Sequence, residues 1–312
     1  MNLNLISTKK IWVVSLTLVT TVFMYCMFST TMQNAEIIAY LKNSLLTTFT
    51  NFNSSDPVSL KKKFVSPNWE NLDTATGTQI MDYFLWTNRS SCLLAHDFGG
   101  NMMSNPSGMD GQKTVCIDPN VAPPGHDCLI YSFGINNEWS FDENMERYGC
   151  QVYSFDPSMG AEDHDHSKGI HFYNLGLGHR DEVTDSSWKV FTLSTIYKNL
   201  TTKHGPKIID YLKMDVESAE WTALPQIIES GMLANVRQLG AEFHLPVDEP
   251  IENYRAKAKI LRSLELMGMV RFDSKYNPWF MGNFPQLGLQ ASRSRGYEIA
   301  WYNSKIVPHV TH

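Results

Sequence analysis

The sequence predicts an α/β fold: a doubly wound sheet of seven mostly parallel strands, the last antiparallel, preceded by a membrane helix and a stem. Three observations carry that prediction. From Cys128 onward, short apolar runs alternate with stretches of helical periodicity, the pattern of a parallel sheet covered by helices on both faces. The first run ends in a glycine turn and the second in an acidic residue, Asp156, 22 residues beyond Gly134. Near the N-terminus, an uncharged run from Ile11 to Phe28 just reaches membrane-spanning length.

Taken in order, Lys9 and Lys10 precede that apolar run, so the positive-inside rule leaves residues 1–10 cytosolic and sends the rest of the chain into the lumen. This is a single-pass type II arrangement in the Golgi or endoplasmic reticulum, with 11–28 as signal anchor and membrane contact. The competing reading is a cleaved signal peptide and a secreted product, for which Ser29, Thr30 and Thr31 supply small residues. Residues 29–68, rich in Asn, Ser, Thr and Lys, read as a stem with a short helix near Ile37 to Leu46. Asn53-Ser54-Ser55, Asn88-Arg89-Ser90 and Asn199-Leu200-Thr201 are glycosylation acceptor triplets. Outside the apolar run stand Cys92, Cys116, Cys128 and Cys150, enough for two disulfides with three connectivities open. No CxxC pair is present, which argues against a cysteine zinc site. The net charge of −6 argues against a nucleic-acid partner, which requires a basic face.

Residues 69–127 read as an extension packed on the main domain, with a helix near Thr76 to Thr87. The main domain, 128–304, carries strand-like runs at Cys128–Phe133, Gln151–Phe155, Ile170–Asn174, Ile208–Met214, Val236–Phe243, Met269–Asp273 and Tyr297–Tyr302. Helices are expected at Phe141–Tyr148, Ser218–Ser230 and Asn253–Met267, and 305–312 form a tail. With no clear helix between the last two runs, the sheet should end in an antiparallel pair.

In such a sheet, ligands bind outside the carboxyl ends of the strands, so residues just after each run come first. Gly134 permits a tight turn after Phe133 and close approach of a ligand to the backbone. The full G-x-G-x-x-G fingerprint is absent and Glu138 repels phosphate, which suits a cofactor with a positive centre, S-adenosylmethionine, better than a dinucleotide. Asp156 is placed to accept hydrogen bonds from ribose hydroxyls; its bland reading is an Asp-Pro turn with Pro157. After the fourth run, Asp215, Glu217 and Glu220 crowd six positions; Ser218 can cap the following helix and Glu220 favours its dipole. The fifth run ends in Glu242-Phe243-His244, and a strand-tip histidine facing a crevice is a candidate general base. Asp215, Glu217 and His244 are therefore the candidate catalytic residues. The same side chains with Glu242 offer a divalent-cation alternative, although the adopted reading assigns no metal. His164-Asp165-His166 reads as a solvated loop.

The string Tyr211-Leu212-Lys213-Met214-Asp215-Val216-Glu217-Ser218-Ala219-Glu220-Trp221 resembles the signature of FkbM-type methyltransferases, and Gly134-Ile135-Asn136 is similar to that family's cofactor turn. The segment Ser132 to Asp142, together with Phe155-Asp156-Pro157, His171 to Asn174 and Glu242 to His244, resembles the methyltransferase-like protein 24 group. The likeness covers about Trp86 to Tyr302. It implies a seven-stranded Rossmann-like methyltransferase domain using S-adenosyl-L-methionine. It also implies that Gly134 and Asn136, flanked by Phe133, line the methionine end of the cofactor. Asp156 with Pro157 would meet the ribose, Asn174 and Leu175 the adenine, and Asp215 the cationic donor. Glu138 departs from the broader family, which has a second glycine there. The expected reaction is in-line O-methyl transfer to a glycan, a small hydroxyl compound or a secreted protein. A catalytically silent scaffold and a luminal nucleotide-sugar enzyme are the alternatives.

Overall fold

In the computed structural model, which describes residues 71–307, a single 3-10 turn (Leu72–Thr74) precedes α1 (Gly77–Leu85). Thr76 starts it with a capping box: its side chain accepts from the Gln79 N–H while the Gln79 side chain accepts from the Thr76 N–H. Four strands follow where the sequence showed mainly turn formers: β1 (Ala95–Phe98), β2 (Asn101–Ser104), β3 (Ser107–Asp110) and β4 (Lys113–Cys116). β1 pairs with β4 and β2 with β3, so the extension is one hairpin nested in another.

The main sheet begins with β5 (Cys128–Phe133), followed by α2 (Ser140–Tyr148) and β6 (Cys150–Phe155). Gly149, in the left-handed region, ends α2 and turns the chain straight into β6. Next come β7 (His164–Asp165), β8 (Ile170–Tyr173), β9 (Gly176–Leu177), β10 (Glu182–Val183) and β11 (Lys189–Phe191). α3 (Leu193–His204), β12 (Tyr211–Met214), α4 (Glu220–Glu229), β13 (Gln238–His244) and α5 (Ile251–Leu266) continue the alternation. The chain closes with β14 (Met269–Tyr276), β15 (Met281–Gly282), β16 (Arg293–Ser294) and β17 (Gly296–Asn303).

The sheet order is β14-β17-β13-β12-β5-β6-β8-β7. β5, β6, β8, β12 and β13 are mutually parallel, and β17 runs antiparallel between β13 and β14. All seven expected strands are present. The correction is an eighth: His164-Asp165 is not a free loop but an edge strand antiparallel to β8, where the His171 ring meets Asp165 at 2.6 Å. Because the chain winds outward from β5 in one direction and from β12 in the other, strand order reverses between these two neighbours, where α/β sheets form their crevice.

Side-chain alternation along β5 splits the core in two. Leu129, Tyr131 and Phe133 face the large cluster formed with α1, α3, α4 and α5. Cys128 and Ile130 face a second cluster with Phe141 and Met145 of α2 and Val115 of β4. The extension therefore covers part of one sheet face. α3 was not anticipated, because its Ser/Thr-rich sequence has weak helix propensity. Its signals are the Thr192 side chain accepting from the Thr195 N–H and the buried Leu193, Ile196 and Leu200. Ser218 does not cap α4: Glu217 and Ser218 are both left-handed and Ala219 is the cap, with no side-chain cap bond.

Of the three open connectivities, the structure has Cys92–Cys116 and Cys128–Cys150. The second joins facing residues of β5 and β6. Among the described residues no helix is long and apolar enough to cross a membrane. The run 11–28, the stem 29–68 with its Asn53 triplet, and the end of the tail from 308 lie outside the described residues.

Candidate functional site

A cavity of about 730 Å³ opens outside the carboxyl ends of β5, β6, β12 and β13. Gly134, Asn136, Asp156, Asp215, Glu217, Glu242 and His244 all line it, so strand tips far apart in sequence share one space.

Gly134 is required where it stands. Its φ is +82°, and a Cβ there would lie 1.7 Å from the Asp215 carbonyl oxygen, so the β5 and β12 loops approach as closely as backbones can. Below the turn, the buried Lys213 donates from Nζ to the Gly134 carbonyl at 2.6 Å. On the far side, Asp156 Oδ2 accepts from the backbone N–H groups of Ile135 (2.9 Å) and Asn136 (2.8 Å). Its Oδ1 accepts from the Ser158 N–H (2.8 Å) and hydroxyl (2.6 Å). Asp156 is 4% exposed and makes four bonds to its own chain, so a ribose hydroxyl would share oxygens already engaged. Its evident work is to shape the turn, with the Asp-Pro geometry that the plainer sequence reading described.

The wall beyond Asp156 is apolar. Phe133 stacks on Phe155 with centroids 4.5 Å apart, and Pro157, Leu177, Trp188 and Val190 continue the surface. Asn174 and Leu175, expected to meet adenine, are not part of it. Asn174 is exposed, with its N–H on Asp163 Oδ1 (2.8 Å), and Leu175 packs on the large core cluster. The chain bends into β9, which presents Gly176 and Leu177 to the cavity instead. Glu138 holds a junction: its Oε1 accepts from Asn101 Nδ2 of β2 (3.1 Å) and from the Ser140 N–H at the start of α2 (3.0 Å).

The opposite wall is acidic. Lys113, 1% exposed, reaches in from β4 and places its ammonium 3.2 Å from Asp215 Oδ2 and 2.6 Å from Glu298 Oε1. Sequence reasoning missed Lys113 and Glu298, because only the fold brings β4 and β17 beside the β12 tip. Burial pushes the Asp215 carboxyl up, but Lys113, Lys213 and His244 outweigh it and hold the group below its ordinary value. Glu242 is pushed up by burial and by the charge of Asp215. Glu298 is pushed up to about 8, by burial first, against the opposing pull of Lys113.

His244 sits at the centre of this wall. Its Nδ1 lies 3.3 Å from Oε1 of the fully buried Glu220, which also accepts the His244 backbone N–H at 2.7 Å. The structural account of Glu220 as a dipole-favouring helix residue thus gains a second part: it orients His244. His244 Nε2 faces Glu217 Oε2 at 3.6 Å and Glu242 Oε1 at 3.8 Å. Burial lowers the imidazole, but Glu220, Glu242 and Asp215 more than reverse this and raise it to about 9. These neighbours favour the protonated ring.

A family model described as a methyltransferase domain matches residues 94–288. The chain is 30% identical over 138 residues to the human protein named "Probable methyltransferase-like protein 24", an alignment covering 42% of this chain and 38% of that protein. It is 31% identical over 120 residues to the rat protein of the same name, covering 38% and 33% respectively. The matched stretch spans about a third of those relatives' length.

Proposed function

The chain belongs to the family of methyltransferase domains, and from that premise we propose that it transfers a methyl group from S-adenosylmethionine to an oxygen acceptor. The observation that carries this reading is the shared cavity at the strand-order reversal, with a glycine turn between an apolar wall and a carboxylate wall. The residues fit the cofactor. The volume suits a ligand of that size, Phe155, Pro157 and Leu177 offer a flat apolar surface, and the acidic side answers a sulfonium and an ammonium. When bound, the cofactor supplies an electrophilic methyl group. The chain supplies alignment, the larger share of the rate gain in such a displacement. Asp156 and Lys213 fix the turn that would receive the donor, Asp215 would hold its cationic centre, and Glu242, whose carboxyl burial pushes up, would take the acceptor's proton. His244, held by Glu220, lines the same space.

Trp188, Met103 and Trp279 fringe the same cavity, a surface suited to the face of a sugar or another ring-bearing hydroxyl compound. We place the domain in an oxidising compartment, luminal or extracellular. The two disulfides and the exposed acceptor Asn199 support that placement. Calorimetry on the full chain tests the cofactor reading. S-adenosylhomocysteine should bind saturably at one per chain and Asp156→Ala should lose it. If the parent protein shows no binding, the reading fails.

A further inference from the structure

We propose that the carboxylate wall is a divalent-cation site of the manganese–magnesium class, with His244 Nε2, Asp215 and Glu217 as its protein ligands. One donor atom from each of these residues lies within 4.8 Å of the others. An ion with bonds of about 2.1 Å sets its donors about 3.0 Å apart when adjacent and about 4.2 Å when opposite. Shifts of an ångström or less therefore close the site.

His244 is the independent sign that something is meant to sit there. It is 7% exposed, its Nδ1 side is fixed on Glu220, and its Nε2 makes no hydrogen bond among the described residues while pointing into the carboxylates. A buried carboxylate on one imidazole nitrogen, with the second nitrogen directed at further carboxylates, is the arrangement that orients a metal-binding histidine. Asp215 has the corresponding support from Lys113, on Oδ2. The charge points the same way. Five carboxyl groups, Asp215, Glu217, Glu220, Glu242 and Glu298, gather around Lys113, Lys213 and the His244 ring. One imidazole with two carboxylates and room for water suits manganese or magnesium better than a thiolate-seeking ion. The mixed donor set favours manganese.

The site stands whether or not a methyl donor binds. Its consequence, that the ion holds an acceptor oxygen facing the Gly134 turn, rests on the methyl-transfer reading. The test uses the full chain stripped with EDTA and titrated with manganese chloride, with free Mn²⁺ followed by electron paramagnetic resonance. One Mn²⁺ per chain is expected, displaced by excess magnesium chloride. His244→Ala and Asp215→Asn should abolish it, and Glu220→Gln should weaken it about 10- to 100-fold. Glu217→Gln alters a side chain 84% exposed, so it keeps the fold and should still weaken binding about tenfold or more. Absence of stoichiometric Mn²⁺, or affinity unchanged in Glu217→Gln, overturns the proposal. S-adenosylhomocysteine binding measured in EDTA reports separately on the methyl-donor reading.

Discussion

Replacing Lys113 by methionine removes the ammonium that bridges Asp215 (3.2 Å) and Glu298 (2.6 Å) while keeping most of the side chain's volume. Breaking a buried ion pair by deleting one partner costs about 3–5 kcal/mol, because the remaining charge is left uncompensated. Two features reduce that here. The Asp215 and Glu298 side chains keep 22% and 15% of their exposure toward the cavity, and Glu298 can take up a proton. The expected loss is therefore about 2–4 kcal/mol, or roughly 5–15 °C in Tm for a domain of this size. The loss should depend on pH with a definite sign. Glu298 already sits at about 8 when folded against 4.5 ordinarily, so its contribution is fully present below 4.5 and is lost as pH rises toward 8. Without Lys113 that value climbs further and Asp215 loses its main stabilising cation. Parent and variant should then differ most near pH 8.5, the difference shrinking as pH falls toward 5 and closing only below the ordinary carboxylate range, where Asp215 is protonated too. Urea unfolding in EDTA at several pH values measures both quantities. A loss under about 1 kcal/mol, or one independent of pH, would refute the electrostatic account of this wall.

Three further outcomes follow from the same geometry. Gly134→Ala places a Cβ 1.7 Å from the Asp215 carbonyl at φ +82°, so thermal melting should show a loss of about 2–5 kcal/mol and cofactor-product binding should vanish. Converting Cys128 and Cys150 to alanine reopens a link spanning 22 residues and should lower stability by about 3 kcal/mol in denaturant titration; an unchanged midpoint would argue against the bond. Asp142 is buried with the Ser132 and Ser154 hydroxyls on its carboxylate, and burial, outweighing Lys213, raises its pKa. Its ionised form thus weighs on the folded state as pH rises, so Asp142→Asn should gain stability relative to the parent at pH 8 and little at pH 4, read from paired melting curves.

What the sequence made legible is what local periodicity encodes. The β5 run was read to the residue, because all six of its positions are buried and glycine ends it. The strand-tip acids were also visible, since Asp156 and Asp215 follow apolar runs directly. Their partners were not. Lys113 stands in a short run with no period of its own, and Glu298 lies within an apolar strand; both acquire meaning only through pairings across 102 and 185 residues. α3 hid behind threonines and serines that disfavour helix in isolation, and burial of Leu193, Ile196 and Leu200 overrides that preference. The role of Asp156 was obscured for another reason. An acid at that position can serve a ligand or its own loop, and only the positions of Ile135, Asn136 and Ser158 tell the two apart.

These partners change what counts as the domain. A sheet with its crevice at the reversal point supplies a glycine turn and strand-tip carboxylates, but it leaves those carboxylates facing one another. The cation that holds Asp215 ionised enters from β4, on a hairpin that also covers part of one sheet face through Val115 and is tied by Cys92–Cys116. Another strand of that extension, β2, carries Asn101 onto Glu138 at the entrance of α2. Residues outside the repeating α/β pattern thus set both the charge of the acidic wall and the path of the turn beside it. Neither can be inferred from the β5–β17 sheet alone. The extension is part of the site's chemistry, and the strands that read least clearly in the sequence are those on which the electrostatics of the cavity depend.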